Sequence, residues 1–171
     1  FQIGKGVWAA DWKNPNCPIA MQKRQQVLHW MDTLMDYGMI LDIPAWTAKI
    51  PAGRKASGIN SYMDAVQGTY INNDYFVTNR NGNCKFLNVL QGENHAHAED
   101  WYQRMKKYCD HSIYGDNAFN GWAFGGQHTR CAHLSLKRLI GLIYDGFLEE
   151  NVHDWIHFLG ISRLEWAVFF T

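Results

Sequence analysis

The feature that most constrains the fold of this chain is a unit that recurs four times. Each unit is a short apolar run that ends in polar or glycine residues and is followed by a helical pattern. The four runs end at Asp42, Gln91-Gly92, Gly125-Gly126 and Gly160. Such runs are typical of strands in parallel sheets that helices cover. The repetition therefore predicts an α/β fold in which the polar strand ends line one edge, where these folds place their sites.

Periodicity and turn residues predict the individual elements. A helix is predicted over residues 24–37, with Gly38 as its left-handed end and a strand over 39–41 directly after it. The basic segment 49–55 contains proline and glycine and is predicted to be a loop. A helix is expected from Tyr62 to Tyr70. Further strands are predicted at 86–90, 119–124 and 155–159, with helices capped by Asn94, around 136–147 and near Ser162.

The length of the chain limits how much of a closed barrel it contains. A complete eight-unit barrel takes about 250 residues, whereas this chain has 171. The sequence therefore predicts an incomplete (β/α)8 TIM barrel, with about half to two thirds of the barrel present. Residues 1–171 are expected to be the central part of a single barrel domain, cut from a longer protein.

The composition argues against several classes of function. Sixteen basic and sixteen acidic residues balance, so no overall charge draws the chain to nucleic acid. The four cysteines are scattered without a Cys-x-x-Cys pair, which argues against a zinc knuckle or a disulfide scaffold. No apolar run approaches the roughly 20 residues of a membrane span, and no leader pattern opens the chain. A cytoplasmic protein without a membrane partner is expected.

The strand ends carry groups that suit a flat polar ligand. Asp42 can accept hydrogen bonds from two neighbouring N–H groups, while Gln91 and the amide after Gly125 can meet ring acceptors. Glycine at such positions lets the backbone approach a ligand closely. An equally supported interpretation is that the glycines only terminate strands and that Asp42 caps the following loop.

Histidines near two strand ends suggest an alternative, a metal-dependent TIM-barrel hydrolase. Asp42, His95 and His97, with His128 beyond another strand end, resemble in type the ligands of a barrel metal site. However, His95 and His97 fall in the first turn of a helix whose apolar face carries Trp101. We therefore expect these two histidines to be solvated or capping residues, and no metal site is predicted in this chain.

Two basic clusters are candidates for contact with nucleic acid. Lys49, Arg54 and Lys55 follow the Asp42 strand and are predicted to contact phosphates, although a solvated loop is equally supported. The cluster at 104–107 is expected to be a solvated helix face. Trp46 and Trp122 can flank a planar base, although an aromatic residue near a strand end is more often part of the core.

Four strand-end motifs in order resemble those of the guanine transglycosylases, the family of the queuine tRNA-ribosyltransferases. They are Leu-Asp-Ile-Pro at 41–44, Val-Leu-Gln-Gly at 89–92, Gly-Trp-Ala-Phe-Gly-Gly at 121–126 and His-Phe-Leu-Gly-Ile-Ser at 157–162. The resemblance implies a (β/α)8 barrel that exchanges guanine in a nucleic acid for a 7-deazaguanine base. The exchange would use a covalent aspartyl intermediate and no redox or nucleotide cofactor.

The resemblance also implies that the catalytic groups lie outside this chain. Phe1-Gln2 match the last two residues of the family's Asp-Ser-Gly-Gly-Phe-Gln motif, so the acid/base aspartate is expected just upstream. The nucleophilic aspartate, and any structural zinc, are expected beyond Thr171. We expect the chain alone to lack exchange activity. Whether the parent protein is a homodimer is left open, as is a non-catalytic nucleic-acid-binding module.

By the same resemblance, Asp42 would read the Watson–Crick edge of the base, and Gln91 with Gly92 would bind its upper polar edge. The Gly125-Gly126 backbone would meet the six-position oxygen. The tRNA enzymes typically have Asp-Glu-Cys where this chain has Asp42-Ile43-Pro44, and they differ again after Gly126. These departures resemble the phage and bacterial branch that acts on DNA, so DNA is favoured and tRNA stays open.

Overall fold

The structure is a computed structural model that describes residues 9–81, 83–153, 155–161 and 164–169. The chain divides into two compact units, Phe1–Cys84 and Lys85–Thr171. It has the mixed α/β character that the sequence predicts, with helices and strands alternating along the chain. That residues 1–171 belong to one barrel domain stays a prediction.

The described part of the first unit is mainly helical. Its elements are α1 (Pro18–Leu34), β1 (Tyr37–Met39), a 3-10 helix (Ala45–Lys49), α2 (Pro51–Ser57) and α3 (Tyr62–Asn79). Proline begins both α1 and α2, where its fixed φ suits the first helical turn. The Ser61 hydroxyl accepts a hydrogen bond from the Asp64 N–H at 3.1 Å and so caps α3. The predicted helix at Tyr62 is confirmed and is longer than expected.

The predicted end of the first helix is wrong. The helix begins at Pro18 and ends at Leu34, and the next residue, Met35, is already extended. Gly38 lies buried within β1 and does not have a positive φ. A glycine after a helical pattern therefore served here as a strand residue, and β1 precedes the predicted strand by two residues.

The predicted loop over 49–55 is also wrong, because the segment is mostly helix. Pro51 is the first residue of α2, and Gly58 ends it with φ of 71°. A Cβ on Gly53 would lie 2.6 Å from the Thr47 carbonyl oxygen. Glycine is therefore present because α2 packs directly on the preceding 3-10 helix, and neither residue breaks the chain's regular structure here.

A buried arginine organises the interior of the first unit. The Arg24 side chain is fully buried, and its Nε donates to the Asn72 Oδ1 at 2.6 Å. Its Nη2 donates to the Trp12 carbonyl at 3.1 Å, while the Asn72 amide donates to the Leu41 carbonyl at 2.6 Å. The network ties α1 and α3 to the segment that follows β1, since buried polar groups need such partners.

The described part of the second unit alternates strands and helices. Its elements are β2 (Lys85–Leu90), α4 (His95–Met105), a 3-10 helix (Lys106–Cys109), α5 (His111–Tyr114), a 3-10 helix (Gly115–Asn117), β3 (Gly121–Phe124), a 3-10 helix (Gly126–Thr129), α6 (Ala132–Tyr144), β4 (Trp155–Phe158) and α7 (Leu164–Phe169). The three strands agree with the sequence predictions, and Asn94 caps α4 as expected. Ser162, near which the last helix was expected to begin, lies outside the described residues.

The three strands of the second unit form a parallel sheet in chain order. Strand β2 pairs with β3 and β3 pairs with β4, with Leu90 opposite Phe124 and Phe124 opposite Phe158. Every residue of β3 is buried, as expected for a central parallel strand. Parallel strands connected by helices are compatible with part of a (β/α) barrel.

Two buried indole groups of the second unit donate hydrogen bonds to backbone carbonyls. The Trp101 indole N–H donates to the Val89 carbonyl at 2.9 Å. The Trp122 indole N–H donates to the Phe147 carbonyl at 2.8 Å, and Trp122 is fully buried. Trp122 is therefore a core residue, as the more conservative interpretation of the sequence held, and does not flank a ligand.

Among the described residues, no helix has both the length and the apolar character that crossing a membrane requires. The longest described helix, α3, instead buries polar residues such as Asn72 and Asn73.

Replacing Gly121 with alanine should strongly destabilise the fold. Its Cβ would lie 2.2 Å from the Trp155 carbonyl oxygen and 2.8 Å from the Leu87 Cδ2. The carbonyl belongs to the neighbouring strand and cannot move without disturbing the ladder. We expect Gly121→Ala to reduce the free energy of unfolding by about 3 kcal/mol, the upper end for overpacking. Urea unfolding followed by circular dichroism measures the change.

The matched control is Gly141→Ala in the middle of α6. There, apart from the helix's own backbone, the new Cβ would have within 4 Å only the Arg138 Nη1, at 3.7 Å, among the residues that the structure describes. Alanine favours a helix interior over glycine, so this variant should gain up to about 1 kcal/mol. Equal effects of the two substitutions would contradict the strand packing described above.

Candidate functional site

Two strand ends of the second unit meet at the carboxyl edge of its sheet. Gln91-Gly92 directly follow strand β2, and Gly125-Gly126 directly follow its neighbour β3. The Gly125 N–H donates to the Leu90 carbonyl at 2.9 Å, and the Gln127 N–H donates to the Gly92 carbonyl at 2.8 Å. The structure thus brings together the four predicted binding residues of this unit.

Glycine is required at two of these four positions. Gly92 has φ of 137°, and a Cβ there would lie 2.6 Å from the Ala98 nitrogen in the first turn of α4. Gly126 has φ of 54°, and its Cβ would lie 2.5 Å from the Gly92 carbonyl oxygen. Both conformations are rare for residues with a side chain. Glycine at position 126 lets the two strand ends approach each other this closely, and glycine at position 92 lets the end of β2 pass close to the first turn of α4.

The side chain of Gln91 lies along the glycine pair. A Cβ on Gly125 would lie 3.0 Å from the Gln91 Nε2, and a Cβ on Gly126 would lie 3.0 Å from its Oε1. Gln91 is only 7% exposed. Its amide, with two donor hydrogens and an acceptor oxygen, is therefore held in a largely buried place next to the backbone of β3's end.

The two glycine amides at the end of β3 differ in what they do. The Gly125 N–H is used by the sheet, since it donates to Leu90. For the Gly126 N–H, no hydrogen-bond partner is found in the part of the chain that the structure describes. Of the pair, Gly126 is therefore the residue whose N–H the sheet does not use, and its contact with a ligand stays a prediction.

A buried histidine, His128, contacts the backbone of the Gly125-Gly126 pair. His128 is fully buried, and its Nδ1 lies 3.2 Å from the Gly125 carbonyl oxygen. The Ser135 hydroxyl donates to the His128 carbonyl at 2.6 Å, and the His128 ring meets Phe124 edge-on at 5.4 Å. Burial lowers the pKa of His128 to about 4, although its contact with Gly125 opposes this shift. His128 is therefore neutral near pH 7, and because a carbonyl oxygen can only accept, Nδ1 carries the proton and donates the hydrogen bond to Gly125.

The other two histidines considered as metal ligands have local partners. The His95 Nε2 lies 3.8 Å from the Cys131 Sγ, and the His97 Nδ1 lies 4.0 Å from a carboxylate oxygen of Glu93. Among the described residues, no group of three His, Cys, Asp or Glu side chains is arranged to hold a metal ion. The hydrolase alternative therefore gains no support from these residues.

Asp42 lies in the first unit, on an extended segment that α3 holds in place. The Leu41 carbonyl accepts from the Asn72 amide at 2.6 Å, and the Ile43 N–H donates to the Thr69 hydroxyl at 2.8 Å. Asn72 and Thr69 are both fully buried. The residues on either side of Asp42 are therefore anchored, while Asp42 itself is half-buried. Sequence patterns did not indicate Asn72 or Thr69, because polar residues inside a helix have no periodic signal.

The three predicted phosphate contacts all lie at the surface of the first unit. Lys49 ends the 3-10 helix, whereas Arg54 and Lys55 lie in the last turn of α2. All three side chains are exposed. They therefore have the exposure that contact with phosphates requires, on helices and not on the predicted loop.

Comparison with known proteins assigns no family to the chain. A scan against protein-family models, a search of curated proteins and a search of solved structures each found no match. The function therefore has to be argued from the strand-end motifs and from the geometry of Gln91, Gly92, Gly125 and Gly126.

The low pKa of His128 should make stability fall in mildly acidic solution. The unfolded histidine has a pKa of about 6.5, above the folded value of about 4. The unfolded chain therefore binds more protons between these values, and stability is lost as the pH falls through that window. The expected loss from pH 7 to pH 5 is about 2 kcal/mol.

This loss can be measured by urea unfolding at several pH values. His128→Gln keeps a donor for the Gly125 carbonyl and should flatten this part of the pH dependence. His133→Gln removes an exposed histidine of α6 and should leave it unchanged. An NMR titration that placed the His128 pKa near 6.5 would contradict the burial argument.

Proposed function

We propose that this chain is the base-recognition part of a guanine transglycosylase, which exchanges a guanine in a nucleic acid for a 7-deazaguanine base. The observation that carries the proposal is the convergence of Gln91, Gly92, Gly125 and Gly126 at one strand edge, with the Gly126 N–H available. The four strand-end motifs in family order support it. In this proposal the parallel strands belong to a (β/α)8 TIM barrel.

The second unit would bind the upper polar edge of the base. The Gln91 amide offers both a donor and an acceptor, and the Gly126 N–H offers a donor to the six-position oxygen. Because Gln91 is largely buried, a hydrogen bond there meets little competition from water. The absence of side chains at Gly92 and Gly126 leaves the backbone open to a flat ring.

Asp42 would read the Watson–Crick edge of the base. Guanine presents its ring N–H and its amino group side by side there, and an ionised carboxylate accepts from both. The anchoring of Leu41 by Asn72 and of Ile43 by Thr69 would hold the carboxylate in one position. A preorganised acceptor is more effective than a mobile one, since less ordering is needed when the base binds.

The chemistry itself would be carried by groups outside this chain. The acid/base aspartate and the nucleophilic aspartate are expected in flanking sequence, so residues 9–169 would bind and orient the base and not attack it. No cofactor is proposed for this segment, and a structural zinc is proposed only for the C-terminal part. We favour DNA over tRNA as the polymer because Ile43-Pro44 depart from the tRNA enzymes' pattern.

In the parent protein, Asp42→Asn should sharply reduce incorporation of labelled guanine. Asparagine has nearly the same shape but replaces an acceptor oxygen with an NH2 group, so one base donor would face a protein donor. The expected cost is about 1–3 kcal/mol, or roughly fivefold to more than a hundredfold in affinity. Radiolabelled guanine exchange into DNA and tRNA measures it.

The matched control is Asp36→Asn, which removes an exposed carboxylate of the same unit. It should exchange guanine like the wild type. The melting temperature of Asp42→Asn should stay near the wild-type value, since the residue is proposed to read substrate. Normal exchange by Asp42→Asn would remove this residue from the site, and a collapsed melting temperature would instead show a structural capping role.

Gln91→Glu tests the second unit's share of the site in the parent protein. The substitution keeps the shape of the side chain but replaces its NH2 donor with a carboxylate oxygen. We expect guanine exchange to fall about tenfold to a hundredfold, because a buried acceptor loses its donor. Gln67→Glu, at an exposed position of α3, is the control and should exchange normally. Exchange that is insensitive to Gln91→Glu would argue against base recognition at this edge.

A further inference from the structure

One surface of the first unit has features that the proposed base site does not use. It comprises residues 45–57, from the 3-10 helix to the end of α2, and is called the basic segment below. The segment carries Lys49, Arg54 and Lys55, and the sequence has no acidic residue between Asp42 and Asp64. A concentration of positive charge in a chain with no net charge attracts anionic partners locally.

Two cations of the basic segment, Arg54 and Lys55, are available to a partner. Arg54 and Lys55 are exposed, and neither side chain has a hydrogen bond or an ion pair with any residue that the structure describes. Their position in the last turn of α2 also suits the helix dipole. That effect stabilises a helix only modestly, and here Gly58 already ends α2 with its N–H bonded to the Arg54 carbonyl.

The same segment exposes an aromatic ring. Trp46 is 42% exposed, whereas Trp12, Trp101 and Trp122 are fully buried. Within the described residues, Trp46 has no aromatic or cation–π partner. An indole ring left partly in water on the same segment as three cations is suited to stacking on a planar group of an anionic ligand.

The two helices of the basic segment are packed tightly enough to hold these groups in place. A Cβ on Gly53 would lie 2.6 Å from the Thr47 carbonyl oxygen, so the residues next to Arg54 and Trp46 are in direct contact. The Thr47 hydroxyl donates to the Pro44 carbonyl at 2.8 Å, and Thr47 is fully buried. The surface groups are therefore carried by a fixed support.

We propose that the basic segment binds single-stranded nucleic acid. Trp46 stacks on an unpaired base, and the three cations contact the phosphates on either side. The inference rests on the proposed function at one point, since an enzyme that breaks a base's glycosidic bond must take that base out of the duplex. Trp46 follows Asp42 by four residues, so their Cα atoms are at most about 14 Å apart. A base near the one that Asp42 reads is therefore within reach of Trp46.

Fluorescence anisotropy with labelled 12-nucleotide single strands of DNA and of RNA, and with the matching DNA duplex, tests the proposal on the chain itself. Single strands should bind more tightly than the duplex. Trp46→Ala should weaken single-strand binding about fivefold to a hundredfold, the usual effect of losing one stacked base. Trp46→Phe should restore most of the affinity, because it keeps a ring. The difference between the DNA and RNA strands identifies the preferred polymer.

The matched control for the ring is Trp30→Ala, which removes another exposed tryptophan of the first unit, 49% exposed on α1. It should bind single strands like the wild type. Melting temperatures measured for all variants separate loss of the ring from loss of the fold.

A salt titration tests the cations separately. The double variant Arg54→Gln/Lys55→Gln should reduce the slope of log affinity against log salt by about 1.4, for two lost phosphate contacts to a single strand. The control Arg104→Gln/Lys137→Gln removes the same charge from exposed positions of α4 and α6 and should keep the slope.

Several outcomes would overturn the inference. They are unchanged single-strand binding by Trp46→Ala, equal losses of affinity for single strands and duplex in that variant, and binding to vesicles of anionic phospholipid without binding to oligonucleotides.

Failure of this inference is distinguishable from failure of the proposed function. Wild-type exchange in a parent that carries Trp46→Ala, together with unaltered strand binding, removes only the stacking role. Strand binding that depends on Trp46, in a parent that exchanges no guanine, removes only the transglycosylase.

Discussion

The close approach of two backbone turns, at Gly92 and at Gly126, is the constraint on which the strand-end site depends. The parallel register that places Leu90 opposite Phe124 brings both turns to the same edge. A Cβ on Gly126 would lie 2.5 Å from the Gly92 carbonyl and 3.0 Å from the Gln91 Oε1. Any side chain there would force the strand ends apart. The same close approach places the Gln91 amide beside the backbone of Gly125 and Gly126.

The first unit fixes its candidate residue by a different physical means. Around Asp42 the chain has no regular structure of its own, so its backbone groups need partners from elsewhere. Buried Asn72 supplies one of them, and Asn72 is in turn held by the fully buried guanidinium of Arg24. Removing one partner of such a network leaves another polar group buried and unpaired, which costs more than the bond itself contributes. The backbone on either side of Asp42 is thus held in place by hydrogen bonds to buried polar side chains.

The sequence allowed the strands and the strand-end residues of the second unit to be predicted, because topology alone brings the ends of parallel strands to one edge. The sequence prediction was wrong over residues 49–55, where proline and glycine were interpreted as signs of a loop. Pro51 begins a helix, and Gly53 is required by packing against Thr47, a contact between residues that no local pattern connects. The supporting role of His128 was missed for the same reason, since burial gives it its low pKa and only the folded chain shows that burial.

In the proposed function, recognition of a base within a polymer would divide between two kinds of surface. Contacts to phosphates add affinity and register but do not distinguish sequences, whereas hydrogen bonds to a base edge select the base. The exposed cations of the segment that contains Trp46 suit the first task, because a charge that stays in water has no desolvation cost in the free protein. The buried amide of Gln91 suits the second, because an analogue that lacks the matching group leaves a buried polar atom unpaired. The strand-end groups would select the base but would not themselves take it out of the duplex. The free energy of binding to the rest of the polymer would offset that cost.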